Sequence, residues 1–288
     1  MSEDQRQRAL LHLPAGPAGS GRLRYGAAIH FHQRGQISDA ALEVFRILSA
    51  RDSEDPQKLL AERGAPLGVP QPDPAAAISL LVAEADGYLA GLSGPGVGEV
   101  RAGLAQWARG TAVARPRAHP VVETHLPVAL DALAASRPGL AAAIGRAAPA
   151  LNWVTYDGYD PAAIGAAFGQ GHAYVSLVGE NAHIGAQDFD LGLFLIAPHV
   201  LYRDHHHSAP ELYAPLTGPH GWRFRPDAPL TLKPAHQPVW NPAHQPHLTK
   251  VGPTPFLALF AWTRNVRERA QVISASDWKE LEALRLTQ

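Results

Sequence analysis

The stretch Tyr202-Arg-Asp-His205-His206-His207-Ser-Ala-Pro210-Glu211-Leu-Tyr213 decides how this chain is read. In an extended strand, residues i and i+2 point to the same face. His205 and His207 therefore bring two imidazoles to one point. Ser208-Ala-Pro210 turns the chain, and Glu211 and Tyr213 share one face of the strand that follows. Gly218 closes that strand about one hairpin later.

Further on, Asn241-Pro-Ala-His-Gln-Pro-His247 offers another histidine, with Pro246 fixing the backbone before it. Residues 199–247 hold eight of the 15 histidines in a 288-residue chain. Histidine is the commonest metal ligand and the usual proton carrier near neutral pH. Three imidazoles and one carboxylate (His205, His207, His247 and Glu211) suit Zn2+, Fe2+, Mn2+, Ni2+ or Co2+. They suit Mg2+ or Ca2+ less, since those ions prefer oxygen shells. There is no Cys, which excludes disulfides, thiolate metal sites and thiol nucleophiles.

The rest of the chain frames this region. Lys+Arg number 25 and Asp+Glu 26, a net charge of −1, which gives no sign of a nucleic-acid partner or an anionic membrane surface. No apolar run reaches the roughly 18–20 residues of a membrane span. The polar start, Met1-Ser-Glu-Asp-Gln-Arg, does not read as a secretory signal. The expected location is cytoplasmic.

Texture divides the chain at about residue 150. Residues 1–36 are rich in Gly, Arg and Gln and read as a partly ordered arm, with His30 and His32 solvated. From 37 to 148 the apolar spacing is helical. The first stripe holds Ile37, Ala41, Val44, Phe45 and Leu48. Asp73-Pro74 reads as an N-cap and first helical residue. Further helices hold Val100, Leu104 and Trp107, then Val122–Ala135, then Leu140 and Ile144 after Ser136. Beyond Pro149, short apolar runs alternate with Gly, Pro, Asp and His turns. Expected strands are His172–Val178, Phe189–Ala197, Glu211–Leu216, Gly221–Arg225, Pro229–Lys233 and Phe256–Thr263, an antiparallel sandwich or barrel. Arg203 and Asp204 read as a surface pair, Lys250 as exposed and His220 as part of a turn. A short capped helix ends the chain. The expected divisions are 1–150 (arm and helices), 151–270 (β-barrel with the metal site) and 271–288 (short helix). Apolar helices beside a barrel make a homodimer plausible.

The pattern His205-x-His207-x-x-x-Glu211-x-x-x-x-x-x-Gly218 resembles the first metal motif of the cupin superfamily. Pro246-His247 stands where the second motif supplies its histidine, although Ala-His-Gln-Pro replaces the usual glycines. The resemblance implies a mainly β fold: a C-terminal cupin, or double-stranded β-helix, behind an N-terminal α-helical region. Within that superfamily, the run from Phe194 through Tyr213, then Trp222, Pro246-His247 and Phe256–Trp262 resembles the cupin-type dimethylsulfoniopropionate lyases. The resemblance covers residues 150–268. It implies one divalent metal on His205, His207, Glu211 and His247, with Tyr213 as ligand or general base. It also places Tyr202 in the pocket and Trp262 as a pocket aromatic.

The chemistry of such a reaction agrees with these residue types. The substrate is a small zwitterion, a carboxylate at one end and a dimethylsulfonium at the other. A base removes the proton α to the carboxylate, dimethyl sulfide leaves, and acrylate remains. A divalent cation on the carboxylate stabilises the developing charge and favours phenolate over phenol nearby. Tyr213 is the expected base, with Tyr202 as its partner or alternative. Aromatic faces hold a soft cation by about 0.5–2 kcal/mol; Trp262, Trp222, Trp240 and Tyr202 are the candidates. Trp222 and Trp240 also read as barrel core. The same three-His, one-Glu set serves other cupin reactions, such as Fe/Mn dioxygenases and isomerases, and non-catalytic metabolite binding.

Overall fold

The computed structural model of the chain describes residues 3–69 and 73–287. Its helices are α1 (Glu3–Leu11), α2 (Ser20–His32), α3 (Asp39–Ile47), α4 (Pro56–Glu62), α5 (Pro74–Ala90), α6 (Val97–Trp107), α7 (Pro120–Ala134), α8 (Pro138–Ala147), α9 (Pro161–Ile164), α10 (Ala166–Gln170) and α11 (Trp278–Ala283). The strands are β1 (His172–Gly179), β2 (Ile184–Gly185), β3 (Asp190–Ile196), β4 (Leu201–His206), β5 (Glu211–Pro215), β6 (His220–Arg223), β7 (Thr231–Lys233), β8 (Val239–Asn241), β9 (His247–Lys250), β10 (Phe256–Trp262) and β11 (Gln271–Val272). Among the described residues no helix is long and apolar enough to cross a membrane.

Asp-Pro pairs start three of the helices. Asp55, Asp73 and Asp160 each accept a backbone N–H of the first turn, from Gln57, Ala76 and Ala162, and proline follows each of them. The side chain satisfies a donor the helix cannot, and proline's fixed φ starts the turn. Only the Asp73 pair is flanked by a long apolar stripe, so only it stands out in the sequence.

The strands form two sheets, with orders β2-β1-β3-β10-β5-β8 and β11-β4-β9-β6-β7. Every pairing but β1–β2 is antiparallel. An aromatic core joins the sheets: Phe194, Tyr213, Phe256 and Phe260 from one, Tyr202 and Trp222 from the other. This is a cupin β-sandwich preceded by a helical region. By compactness the described chain falls into two units, Met1–Ala85 with Leu130–Ala150, and Asp86–Ala129 with Leu151–Gln288. That partition differs from the textural one at residue 150, because residues 86–129 group with the strands.

Four local readings are corrected. The expected arm at 1–36 is largely helical, as α1 and α2, with Leu11, Ala27, Ala28 and Phe31 packed against Phe45, Leu48 and Leu60. Its stripe is hidden because a core position is taken by Arg24. That residue is fully buried and donates to the carbonyls of Pro14, Asp52 and Glu54. Lys250 is buried, its ammonium donating to the carbonyls of His199 and Glu282. Arg203 and Asp204 do not pair, since neighbours in a strand face opposite ways. Arg203 binds Glu282, and Asp204 is buried with Arg223. His220 opens β6 and is buried rather than sitting in a turn.

His172 and His220 are locked neutral. Nδ1 of His172 donates to the Phe168 carbonyl, and its Nε2 accepts the Tyr156 N–H. His220 accepts the Gly252 N–H on Nδ1, and its Nε2 faces the Thr217 hydroxyl. Each uses one donor and one acceptor, so a second proton has no partner. Burial pushes both from 6.5 down to about 4. The unfolded chain therefore binds more protons between those values, and stability falls as pH drops from 6.5 toward about 4. Urea midpoints measured across that window should fall steadily with acidification; a flat profile would contradict this account.

Candidate metal centre and its cavity

β4 and β9 pair so that His205 stands directly opposite His247. The register shifts on β4 between Tyr202 and His205, which re-aims the end of the strand. His207 follows β4 directly, and the Ser208-Ala-Pro210 turn returns the chain as β5, whose first residue is Glu211. One ring nitrogen from each of His205, His207 and His247 lies within 4.8 Å of the others, and all three residues are buried.

Backbone carbonyls set the tautomers. His205 Nδ1 is 2.8 Å from the Arg203 carbonyl, His207 Nδ1 is 2.7 Å from Ala209, and His247 Nδ1 is 2.9 Å from Gln245. A carbonyl only accepts, so each Nδ1 carries the proton and each Nε2 presents a lone pair. His205 Nε2 and His247 Nε2 are buried with no hydrogen-bond partner. Glu211 Oε2 lies 3.3 Å from His207 Nε2 and 3.2 Å from His247 Nε2, the latter without hydrogen-bond alignment. Converging lone pairs beside a buried carboxylate are a donor set that a cation could occupy. The residues fit a divalent metal ion, and their Nδ1 bonds are the orienting contacts such ligands need.

Glu211 is held from both neighbouring strands. Trp262 on β10 and Asn241 on β8 stand opposite it in register. Trp262 Nε1 donates to Oε1 at 2.8 Å and Asn241 Nδ2 to Oε2 at 3.3 Å. Burial works to raise the carboxyl, and positive charge on His207 and His247 beside it would hold it well below the usual carboxylate range. Burial pushes His205 well below the usual imidazole range, reinforced by the two neighbouring rings.

Tyr213 lies on the Glu211 face of β5, and burial, then the Glu211 charge, push its phenol well up. Tyr202 on β4 is sandwiched between Phe168 and His205, each ring centroid 4.0 Å away. Its hydroxyl is 2.6 Å from the hydroxyl of Tyr159. Burial pushes both of these phenols up as well.

A cavity of about 150 Å³ opens over Glu211, Tyr213, Tyr202 and Trp262. A space this small takes a metabolite rather than a polymer or a drug-sized ligand. None of its described lining residues is Lys or Arg. The other two tryptophans are placed elsewhere. Trp222 is fully buried in the core beneath Tyr213, with ring centroids 5.7 Å apart. Trp240 pairs with Leu212, hence faces away from Glu211 and Tyr213, and lies against Gly96, where any Cβ would meet the indole. His206 turns from the triad toward His244, with ring centroids 5.9 Å apart.

The far wall was missed in the sequence. It is built by Tyr156, Tyr159, Tyr174, Phe260 and Asp190. The available signal was Tyr156-x-x-Tyr159 just before the first strand, together with the Tyr174 side of β1.

A profile of the dimethylsulfoniopropionate (DMSP) lyase family matches residues 100–258. The chain belongs to that family. Among solved structures it resembles one described under "Crystal structures of DMSP lyases RdDddP and RnDddQII", at 22% identity and TM-score 0.53 over 70% of this chain and 100% of the other. It also resembles the DMSP lyase DddQ of Ruegeria pomeroyi DSS-3, at 22% identity and TM-score 0.50 over 68% of this chain and 95% of the other. At that identity the likeness shows the fold. No curated protein sequence matches the chain.

Proposed function

We propose that the protein cleaves dimethylsulfoniopropionate, or a close onium carboxylate, by β-elimination to dimethyl sulfide and acrylate. The observation that carries this reading is the convergence of three buried Nε2 lone pairs and Glu211 beneath a small cavity faced by five tyrosines, Tyr213 and Tyr202 among them. His205, His207, Glu211 and His247 would hold one divalent transition metal (Fe2+, Zn2+, Mn2+, Ni2+ or Co2+), which supplies a Lewis acid for the substrate carboxylate when bound. With no Lys or Arg in the described lining, the carboxylate finds no other countercharge there.

Tyr213, as the phenolate that a bound divalent cation would favour over the buried phenol, takes the proton α to the carboxylate, the Cβ–S electrons leave with dimethyl sulfide, and the new double bond completes acrylate. Tyr202 and Tyr159, hydroxyl to hydroxyl, form the short relay beside it. Trp262 keeps Glu211 oriented and presents its indole to the cavity.

The protein, loaded in turn with each of the five metals, should release dimethyl sulfide from dimethylsulfoniopropionate in a sealed headspace, with acrylate in equal amount. Release with none of them would contradict the substrate while leaving the metal centre intact.

A further inference from the structure

Apart from Glu211, the cavity lining holds one carboxyl, which the mechanism leaves unused: the half-buried Asp190. It opens β3 and lines the cavity wall away from the histidines. The register places it in one row with the site: Asp190 stands opposite Trp262 on β10, and Trp262 stands opposite Glu211 on β5. Paired residues on neighbouring strands show the same face, so all three project to the same side. Two strand spacings separate the outer pair by about 10 Å of backbone. Glu211 therefore marks one end of the cavity and Asp190 the other, with the Trp262 indole between them.

Asp190 is built in. Its Oδ2 accepts the Ser176 hydroxyl at 2.9 Å, while its Oδ1 is buried with no partner. Gly179 leaves room for it, since a Cβ there would lie 2.9 Å from Oδ1. The rings that line the same cavity include Tyr174, Tyr156, Phe260 and Trp262. Tyr156 and Tyr174 have centroids 6.4 Å apart, and Tyr174 and Phe260 6.1 Å, both edge to face. Asp190 makes no ion pair among the described residues, and burial pushes its carboxyl up to about 7, against the pull of the Ser176 bond. Aromatic faces around a carboxylate match a bulky cation that offers no hydrogen-bond donors.

We propose that Asp190 is the countercharge for the onium end of the substrate, selecting a permanently cationic tail over a neutral one of the same shape. This rests on the onium-carboxylate reading above and assigns that substrate's second charge a specific partner. It also excludes Trp222 and Trp240 from the cation's surroundings, leaving Trp262, Tyr174, Tyr156 and Phe260.

Binding, not turnover, tests it. Calorimetry on the metal-loaded protein compares 3-(trimethylammonio)propanoate with 4,4-dimethylpentanoate, which differ in charge and not in outline. The wild type should prefer the cation by at least about tenfold. Asp190→Asn keeps the shape and the Ser176 bond, and Asp190→Ala removes both; each should bring the ratio of the two affinities close to one. The ratio is unaffected by a partly unfolded sample, because a reduced competent fraction weakens both ligands equally. A wild type without the preference, or variants that keep it, would overturn the assignment. A wild type that shows the preference but releases no dimethyl sulfide would remove the lyase reading and leave Asp190 standing.

Discussion

Tyr213→Phe should lower dimethyl sulfide release by about 10²–10⁴-fold, the range for a lost general base. The ring stays in the same aromatic core, against Phe194, Trp222 and Phe256, so packing is unchanged. Only the hydroxyl is removed. Metal content should equal that of the wild type if Tyr213 is base rather than ligand, and the loss should fall on kcat more than on KM. Tyr202→Phe separates the two tyrosines. Its hydroxyl meets Tyr159 rather than Glu211, so the loss should be the smaller one. If the two variants exchange these effects, Tyr202 is the base.

The largest stability effect is expected at Asp204. Both it and the Arg223 side chain are fully buried. Arg223 Nε donates to Asp204 Oδ1 at 2.9 Å and its Nη2 to Oδ2 at 2.5 Å, while Trp278 Nε1 adds a 2.7 Å bond to Oδ2. Asp277 closes the group from the other side of the guanidinium. These bonds tie β4 and β6 to α11, just behind His205 and His207. Asp204→Asn leaves Arg223 buried with a partial partner, and breaking such a pair costs about 3–5 kcal/mol. The change should appear as a lower urea midpoint at unchanged slope. A change under about 1 kcal/mol would show that Asp277 alone satisfies the guanidinium.

The site was legible in the sequence where its spacing obeys strand geometry. His205 and His207 are two apart, as are Glu211 and Tyr213, and a period of two fixes their faces. That His247 sits across from His205 depends on a pairing between β4 and β9 some 42 positions apart, which only the family resemblance supplied. Trp240 was placed among the cavity candidates because Val239–Asn241 is too short to show its phase. In the structure Val239 and Asn241 pair with Tyr213 and Glu211, and Trp240 turns away. Asp204, Lys250 and Arg24 were illegible for a different reason. Each is a charge in the interior, and its partners lie far along the chain. Asp190 follows the turn residues Gln187-Asp188, where an acid reads as solvated. The N-terminal helices were missed because Gly, Ala and Arg fill positions where a stripe needs larger apolar residues.

The central claim is that a metal held by His205, His207, Glu211 and His247 makes this cavity a lyase site. The most direct measurement strips one preparation with a chelator, confirms the metal is gone, and follows dimethyl sulfide before stripping, after it, and after adding metal back. The account predicts loss of release on stripping and its return on reloading. Undiminished release from metal-free protein would contradict it.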